Sequence, residues 1–219
     1  MNLAIIGGRL SQSKDKVPFY KEGWELWCMN ALYGDKYHVL READTKKGFS
    51  FHRWFELHRR AWLLKHYGKH GFKHHARALD LMGIPVMVWG EPWPEIAKSV
   101  EYPKEEVEAL VPHGRYHAGS FDWMIALALT DNQSRFSGGE IHLYGVDMGL
   151  FDGEPLSGRP ALEYWCGVAE GRGMKVVAHG GSLFKVLQVV QSERQYGAED
   201  LDNILNVAPK KAKVVGVRL

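Results

Sequence analysis

Three side chains that can give or take a proton stand at the ends of apolar runs. Glu56 and His58 close FHRWFELH (51–58), and Asp147 closes EIHLYGVD (140–147). A general acid or base has to reach the reacting atom, so such residues at neighbouring strand ends are the catalytic candidates. A second set suits an anion. In LAIIGGRLSQSK (3–14) the apolar run Leu3–Ile6 breaks into Gly7–Gly8 and turns polar through Ser11. A strand entering a glycine turn can cradle a phosphate with its backbone N–H groups. Gly119–Ser120 precedes a long apolar stretch and so starts a helix, whose positive end would face the same anion. Arg159, just ahead of Pro160 and another helix, can add a charge-assisted bond. Asn30, at the end of WELWCMN (24–30), can read a base or a ribose hydroxyl.

The glycines match neither common phosphate fingerprint. The dinucleotide pattern needs glycines where this chain has Arg9 and Gln12, and Lys14 lacks the glycine of a P-loop. Each residue also has a plainer role. Gly7–Gly8 can be a tight turn, Asn30 and Asp147 can satisfy turn backbone, Gly119–Ser120 can be a simple cap, and one histidine alone is more often structural. Their coincidence at one edge is the stronger signal.

That edge exists only if the elements fall in place. Apolar runs at Leu3–Ile6, 24–30, 51–58, 84–90, 138–149 and 174–182 read as strands. Helical patterns cover 59–82, a stretch from Pro103, 118–136, 159–173 and 182–195, and 212–218 can pair as an edge strand. Alternating strands and helices predict an α/β fold: a single-domain, Rossmann-like, mainly parallel sheet with helices on both faces. The domain spans 1–196, with a tail over 197–219. In such a sheet, ligands bind outside the carboxyl ends of the strands.

The run 58–80 holds five histidines, three lysines and three arginines. Gly68 and Gly71 interrupt the face that would align His66, His70 and His74, and no acidic or Cys partner stands at ligand spacing. No metal site is expected there. The segment reads as a solvated basic stretch, a flexible lid over an anionic ligand.

Composition sets the outer limits. The chain has 219 residues, 45% hydrophobic and 25% charged, as in an ordinary globular domain. A net charge of +2 makes nucleic acid an unlikely partner by bulk electrostatics, leaving only a weaker contact through 59–77. Two cysteines, Cys28 and Cys166, read as core residues of a reducing cytoplasm, and neither a signal peptide nor a membrane span is visible. Eight tryptophans suit either the core or the interface of a homo-oligomer.

The stretches AIIGGRLSQ, WELWCMNALY, RWFELH, AGSFDWMIALAL, EIHLYGVDM and RPALEYWCGVAEGRGMKV cover most of residues 3–178 in order. Together they resemble a group of uncharacterised bacteriophage-encoded proteins with a Rossmann-like fold. More distantly, the pattern is similar to bacterial sialyltransferases that use CMP-sialic acid, and to archaeal pterin pyrophosphokinase-like proteins. That resemblance implies a nucleotide held by Gly7, Gly8, Ser11, Asn30, Gly119 and Ser120, with Asp147 at the strand end. One departure stands out. The sialyltransferases carry a catalytic histidine before the next helix, where FDGEPLSGRPALEYW (151–165) has none. Two functions therefore stay open. One is a glycosyltransferase-like enzyme on a nucleotide or nucleotide-sugar, with His58, Asp147 or Glu56 in the acid–base role. The other is a non-catalytic nucleotide-binding or host-interaction module.

Overall fold

The computed structural model describes residues 1–8, 16–34, 51–130, 135–146, 148 and 158–179, all within the compact unit Met1–Leu183. Ser11, Asp147, the helix over 182–195 and the tail with its edge strand lie outside the described residues.

Leu3–Ile6 carries no polar side chain, and all four residues are fully buried. A segment of that kind is satisfied only in the middle of a parallel sheet, covered on both faces. This is β1 (Asn2–Ile6). It pairs in parallel with β2 (Trp24–Met29) on one side and β6 (Glu140–Tyr144) on the other. The sheet continues through β3 (Arg53–Glu56), β4 (Val86–Val88) and β5 (Ser99–Glu101), and beyond β6 through β7 (Lys175–His179). Every pairing is parallel and the order is β5-β4-β3-β2-β1-β6-β7. The helices are α1 (Arg60–Leu81), α2 (Lys104–Glu108), α3 (Ser120–Thr130) and α4 (Gly158–Gly171).

The winding runs outward from β1 to β5, returns through α3, and runs outward again from β6 to β7. Crossovers of one hand then put α1, between β3 and β4, and α4, between β6 and β7, on opposite faces. This is the doubly wound, Rossmann-like α/β domain expected. Under α1 the sheet contributes Ala4, Ile6, Leu26, Cys28, Trp54, Val86 and Val88, packed on Leu63, Phe72, Ala76 and Leu79. The alternate residues Leu3, Ile5, Trp27, Phe55 and Leu143 are buried on the other face, as strand alternation requires. Both cysteines are buried, and burial pushes their thiols well above the ordinary range. They are core residues, not nucleophiles.

Three expectations need correction. The basic run is not a lid: α1 is continuous apart from a kink at Gly68 (φ 67°, ψ 170°), and it buries Leu63, Phe72, His75, Ala76 and Leu79. A buried row at i, i+3, i+4 and i+7 from Phe72, apolar except for His75, wins over the cations around it. Both ends are tied to the β4–β5 connection, by an Arg60–Glu95 ion pair and by the Ala97 N–H donating to Asp80 Oδ1 at 2.8 Å. The helix expected over 118–136 ends at Thr130, and residues 135–138 are turn. β5 was not foreseen at all.

If α1 is a packed crossover, truncating its inner face must cost core energy. Leu79→Ala should destabilise by about 2–5 kcal/mol. Leu81→Ala, two residues on and 73% exposed, should stay within about 0.5 kcal/mol. Urea melts of the two variants test this, and equal small losses would restore the lid.

Candidate functional site

The winding reverses between β1 and β6, and a crevice opens at the carboxyl ends of such strands. Gly7 follows β1, and its N–H donates to the Tyr144 carbonyl at 2.7 Å, extending the ladder to β6. A Cβ at Gly7 would lie 2.5 Å from the Gly145 carbonyl oxygen and 2.9 Å from the ring of Phe121. So Gly7 brings β1, β6 and the start of α3 together, as the sequence pairing of Gly7–Gly8 with Gly119–Ser120 required. Its glycine serves close approach, and its amide is already spent. Gly119 is spent likewise: the buried Asp122 carboxylate takes the N–H groups of Ala118 and Gly119 at 2.8 and 2.9 Å. Two of the four glycine and helix-start amides expected to cradle an anion are thus occupied. Asp122 also places a negative charge at the helix end. Gly8 and Ser120, both half-buried, remain at this junction.

Asn30 follows β2 in a left-handed conformation (φ 50°), which Asn tolerates better than most residues. Its backbone is fixed at both ends. Its N–H donates to the Phe55 carbonyl at 2.7 Å, and its carbonyl accepts from Trp54 Nε1 at 2.9 Å. Its side-chain oxygen Oδ1 is buried and has no hydrogen-bond partner among the described residues. Arg159 opens α4, whose first residue Gly158 lies against Met148, four residues beyond the end of β6. Arg159 Nε donates to Glu163 Oε1 at 2.8 Å, while Nη2 is buried and unpartnered. Buried polar atoms without partners are rare and call for an explanation. Among the described residues the third is Nε2 of His117, just ahead of α3. That ring is stacked between Trp123 and Trp165 at 3.4 and 4.7 Å, and its Nδ1 is 3.1 Å from Asp122. All three orphans thus belong to segments at or beside this sheet edge.

β3 supplies the acid–base chemistry. Glu56, its last residue, is 1% exposed. Oε1 lies 2.6 Å from His58 Nδ1 and also accepts the His58 backbone N–H at 3.2 Å. Oε2 lies 2.7 Å from Nε2 of the buried His75, and His75 Nδ1 lies 2.7 Å from the Tyr33 hydroxyl. Each imidazole donates one N–H to Glu56, and the Tyr33 hydroxyl shares a hydrogen bond with His75 Nδ1. Burial pushes the Glu56 carboxyl up, but the hydrogen bonds and charges of His58 and His75 outweigh it and hold it below the usual carboxylate range. The hydrogen bond from Glu56 raises His58 against the effect of its partial burial. Burial, with repulsion from Tyr67 and Glu56, pushes the Tyr33 hydroxyl up to about 12. His58 is 42% exposed at its side chain. With Nδ1 held by Glu56, Nε2 is left to act as a base at the carboxyl end of β3.

The structure therefore joins Glu56 to His58, and Gly7 to the start of α3. It puts Asn30 just after β2 and Arg159 in the first turn of α4, the helix that follows β6. Across two strand spacings, β3 and β1 end about 10 Å apart, within one nucleotide's reach. Ser11 and Asp147 cannot be added, since they lie outside the described residues. Sequence reasoning missed His75, Tyr33 and the His117–Asp122 pair. His75 had a signal, a histidine inside the buried row of α1. Tyr33 had none.

Elsewhere, His142 on β6 bonds Glu140 at 2.7 Å and His179 on β7 at 2.8 Å, and the His179 ring stacks on Tyr144 at 4.3 Å. Among the described residues no group of three or more His, Cys, Asp and Glu is arranged to hold a metal ion, and no helix is long and apolar enough to cross a membrane. Two open hollows are found elsewhere on the described surface, the first next to the segment ahead of α3. One of about 610 Å³ is lined by Glu108, Arg115 and Tyr164, and one of about 500 Å³ lies by Gly23 and Trp24 at the amino end of the sheet. Comparison with family models, with curated proteins and with solved structures gives no match.

The Glu56 network predicts a signed pH response. A carboxyl held low contributes stability above its unfolded value of 4.5, lost as pH falls through the folded value. An imidazole held high contributes stability below 6.5, lost as pH rises through the folded value. Both contributions are therefore complete between about pH 4.5 and 6.5. Glu56→Gln should cost more stability at pH 5.5 than at pH 8.5, and NMR should show His58 titrating above 6.5 in the parent and lower in the variant. A His58 resonance unmoved by the substitution would break the dyad.

Proposed function

We propose that the protein binds a nucleotide or nucleotide-activated donor at the carboxyl end of β1 and transfers a group from it to an acceptor hydroxyl. The observation that carries this reading is a pair of buried side-chain atoms without a partner among the described residues, Asn30 Oδ1 after β2 and Arg159 Nη2 at the start of α4. Asn30 Oδ1 calls for a donor such as an exocyclic amine or a ribose hydroxyl. Arg159 Nη2 calls for an anion. A nucleotide offers both, and each bond to the charged group is worth about 1.5–3 kcal/mol.

His58 supplies the chemistry. As the acceptor oxygen attacks the donor carbon, Nε2 takes the hydroxyl proton and Glu56 stabilises the imidazolium that forms. The bond from that carbon to the nucleotide phosphate breaks, and its electron pair leaves with the phosphate beside Arg159. In this reading His58 substitutes, from another strand, for the histidine that the sialyltransferases carry ahead of the helix after their G-[IV]-D strand. A binding-only role is the second reading, favoured by the missing histidine in residues 151–165.

Thermal shift against nucleoside mono- and diphosphates and nucleotide-sugars tests the first half. A ligand at a hundred times its Kd should add about 2.7 kcal/mol to the stability of the native state. Arg159→Ala should weaken that ligand about 10- to 150-fold, from the loss of one charged hydrogen bond. His58→Ala should leave the shift intact and remove at least about 100-fold of turnover. A shift with no turnover in the parent protein leaves the binding module, and no shift with any nucleotide removes both readings.

A further inference from the structure

Positive charge in this chain is gathered on one element. Arg59 and the α1 residues Arg60, Lys65, Lys69, Lys73 and Arg77 are six cations, and residues 57–79 contain no acid. Six exceeds the net charge of the whole chain, +2, so the remainder is net acidic. Arg60 is engaged with Glu95; Arg59, Lys65, Lys69, Lys73 and Arg77 are exposed.

The kink at Gly68 divides the helix into halves of different chemistry. Before it, His58, Trp62 and His66 recur every four residues and stack in one ladder. Trp62 lies 4.7 Å from His58 at 16° and 4.6 Å from His66 at 10°. Trp62 stays 47% exposed, so these flat rings stand in solvent. After the kink, Lys69, Lys73 and Arg77 also recur every four residues, about 6 Å apart along the axis on one flank. A ring platform beside a row of cations is how proteins hold unpaired bases and their phosphates. An acidic peptide would use the cations and leave the ladder idle, and a duplex hides its base faces.

We propose that α1 is a docking surface for single-stranded nucleic acid, with bases extending the His58–Trp62–His66 stack and phosphates along Lys69, Lys73 and Arg77. The ladder begins on His58, so the bound strand is also the acceptor of the transfer, an assignment that rests on the function proposed above.

Fluorescence anisotropy of a labelled 12-nucleotide oligothymidylate, with the full chain and no nucleotide donor, tests the docking. Three phosphate contacts should give a slope of log Kobs against log salt of about −2. Lys69, Lys73 and Arg77 changed together to Gln should abolish most of that slope. Trp62→Ala should weaken binding about 10-fold or more, while Trp62→Phe, which keeps a ring, recovers most of it. These side chains are exposed, so melting temperatures should not move. The proposal falls if the oligonucleotide does not bind at low salt, if polyglutamate or a duplex of the same length binds as tightly, or if Trp62→Ala binds like the parent. Oligonucleotide binding without any nucleotide shift would remove the proposed function and leave the docking surface standing.

Discussion

A wholly apolar strand has to spend both edges of its backbone on neighbours and both faces on cover, and β1 meets that demand from four sides. β2 and β6 take its edges. One face lies under α1, and the other is closed by the second helical layer. Since the chain can supply neighbours on both sides only by winding out, returning, and winding out again, the reversal beside β1 follows from burying Leu3–Ile6. The carboxyl ends of β1 and β6 meet where the winding reverses, and a crevice opens beside such strand ends. Gly7 keeps its floor thin, because any side chain there would meet Gly145 and Phe121.

Glu56 puts a different demand on the same framework. A carboxylate out of water is costly, and an apolar core residue of similar volume would often be as stable. This one accepts three hydrogen bonds, two from His58 and one from His75. His75 is fixed in turn by Tyr33. The chain of contacts begins in the core under α1 and ends on a ring that is nearly half exposed. Stability alone does not call for a polar path from core to solvent, whereas a base needing one orientation does.

How far these features were legible depends on what kind of signal each leaves. β1, β2, β6 and the starts of α3 and α4 announce themselves as apolar runs bounded by Gly, Asn or Pro, and they fall within a few residues of expectation. β5 leaves no such trace: Ser99–Glu101 has one apolar residue, and that residue, Val100, is 45% exposed. In α1 the cations hid a buried row that the apolar spacing alone supports. Asn30, Arg159, Glu56 and His58 were visible as residue types at element ends. Their burial and partners were not, because those depend on contacts from Phe55, Glu163 and His75. The amides of Gly7 and Gly119 show the limit from the other side. Sequence places them at the crevice, but only the fold reveals that Tyr144 and Asp122 have taken them.

β5 also shapes how this molecule meets its own copies. Among the described strands it is outermost on its side of the sheet, and an outermost strand offers open backbone groups to any passing chain. Here the template is three residues long, flanked by Lys98 and closed by Glu101, with Pro103 two positions further. So short a ladder, bracketed by charge and stopped by a residue that cannot donate, gives a foreign strand too little register to hold. Edge-to-edge growth into fibrils is discouraged on this flank by brevity.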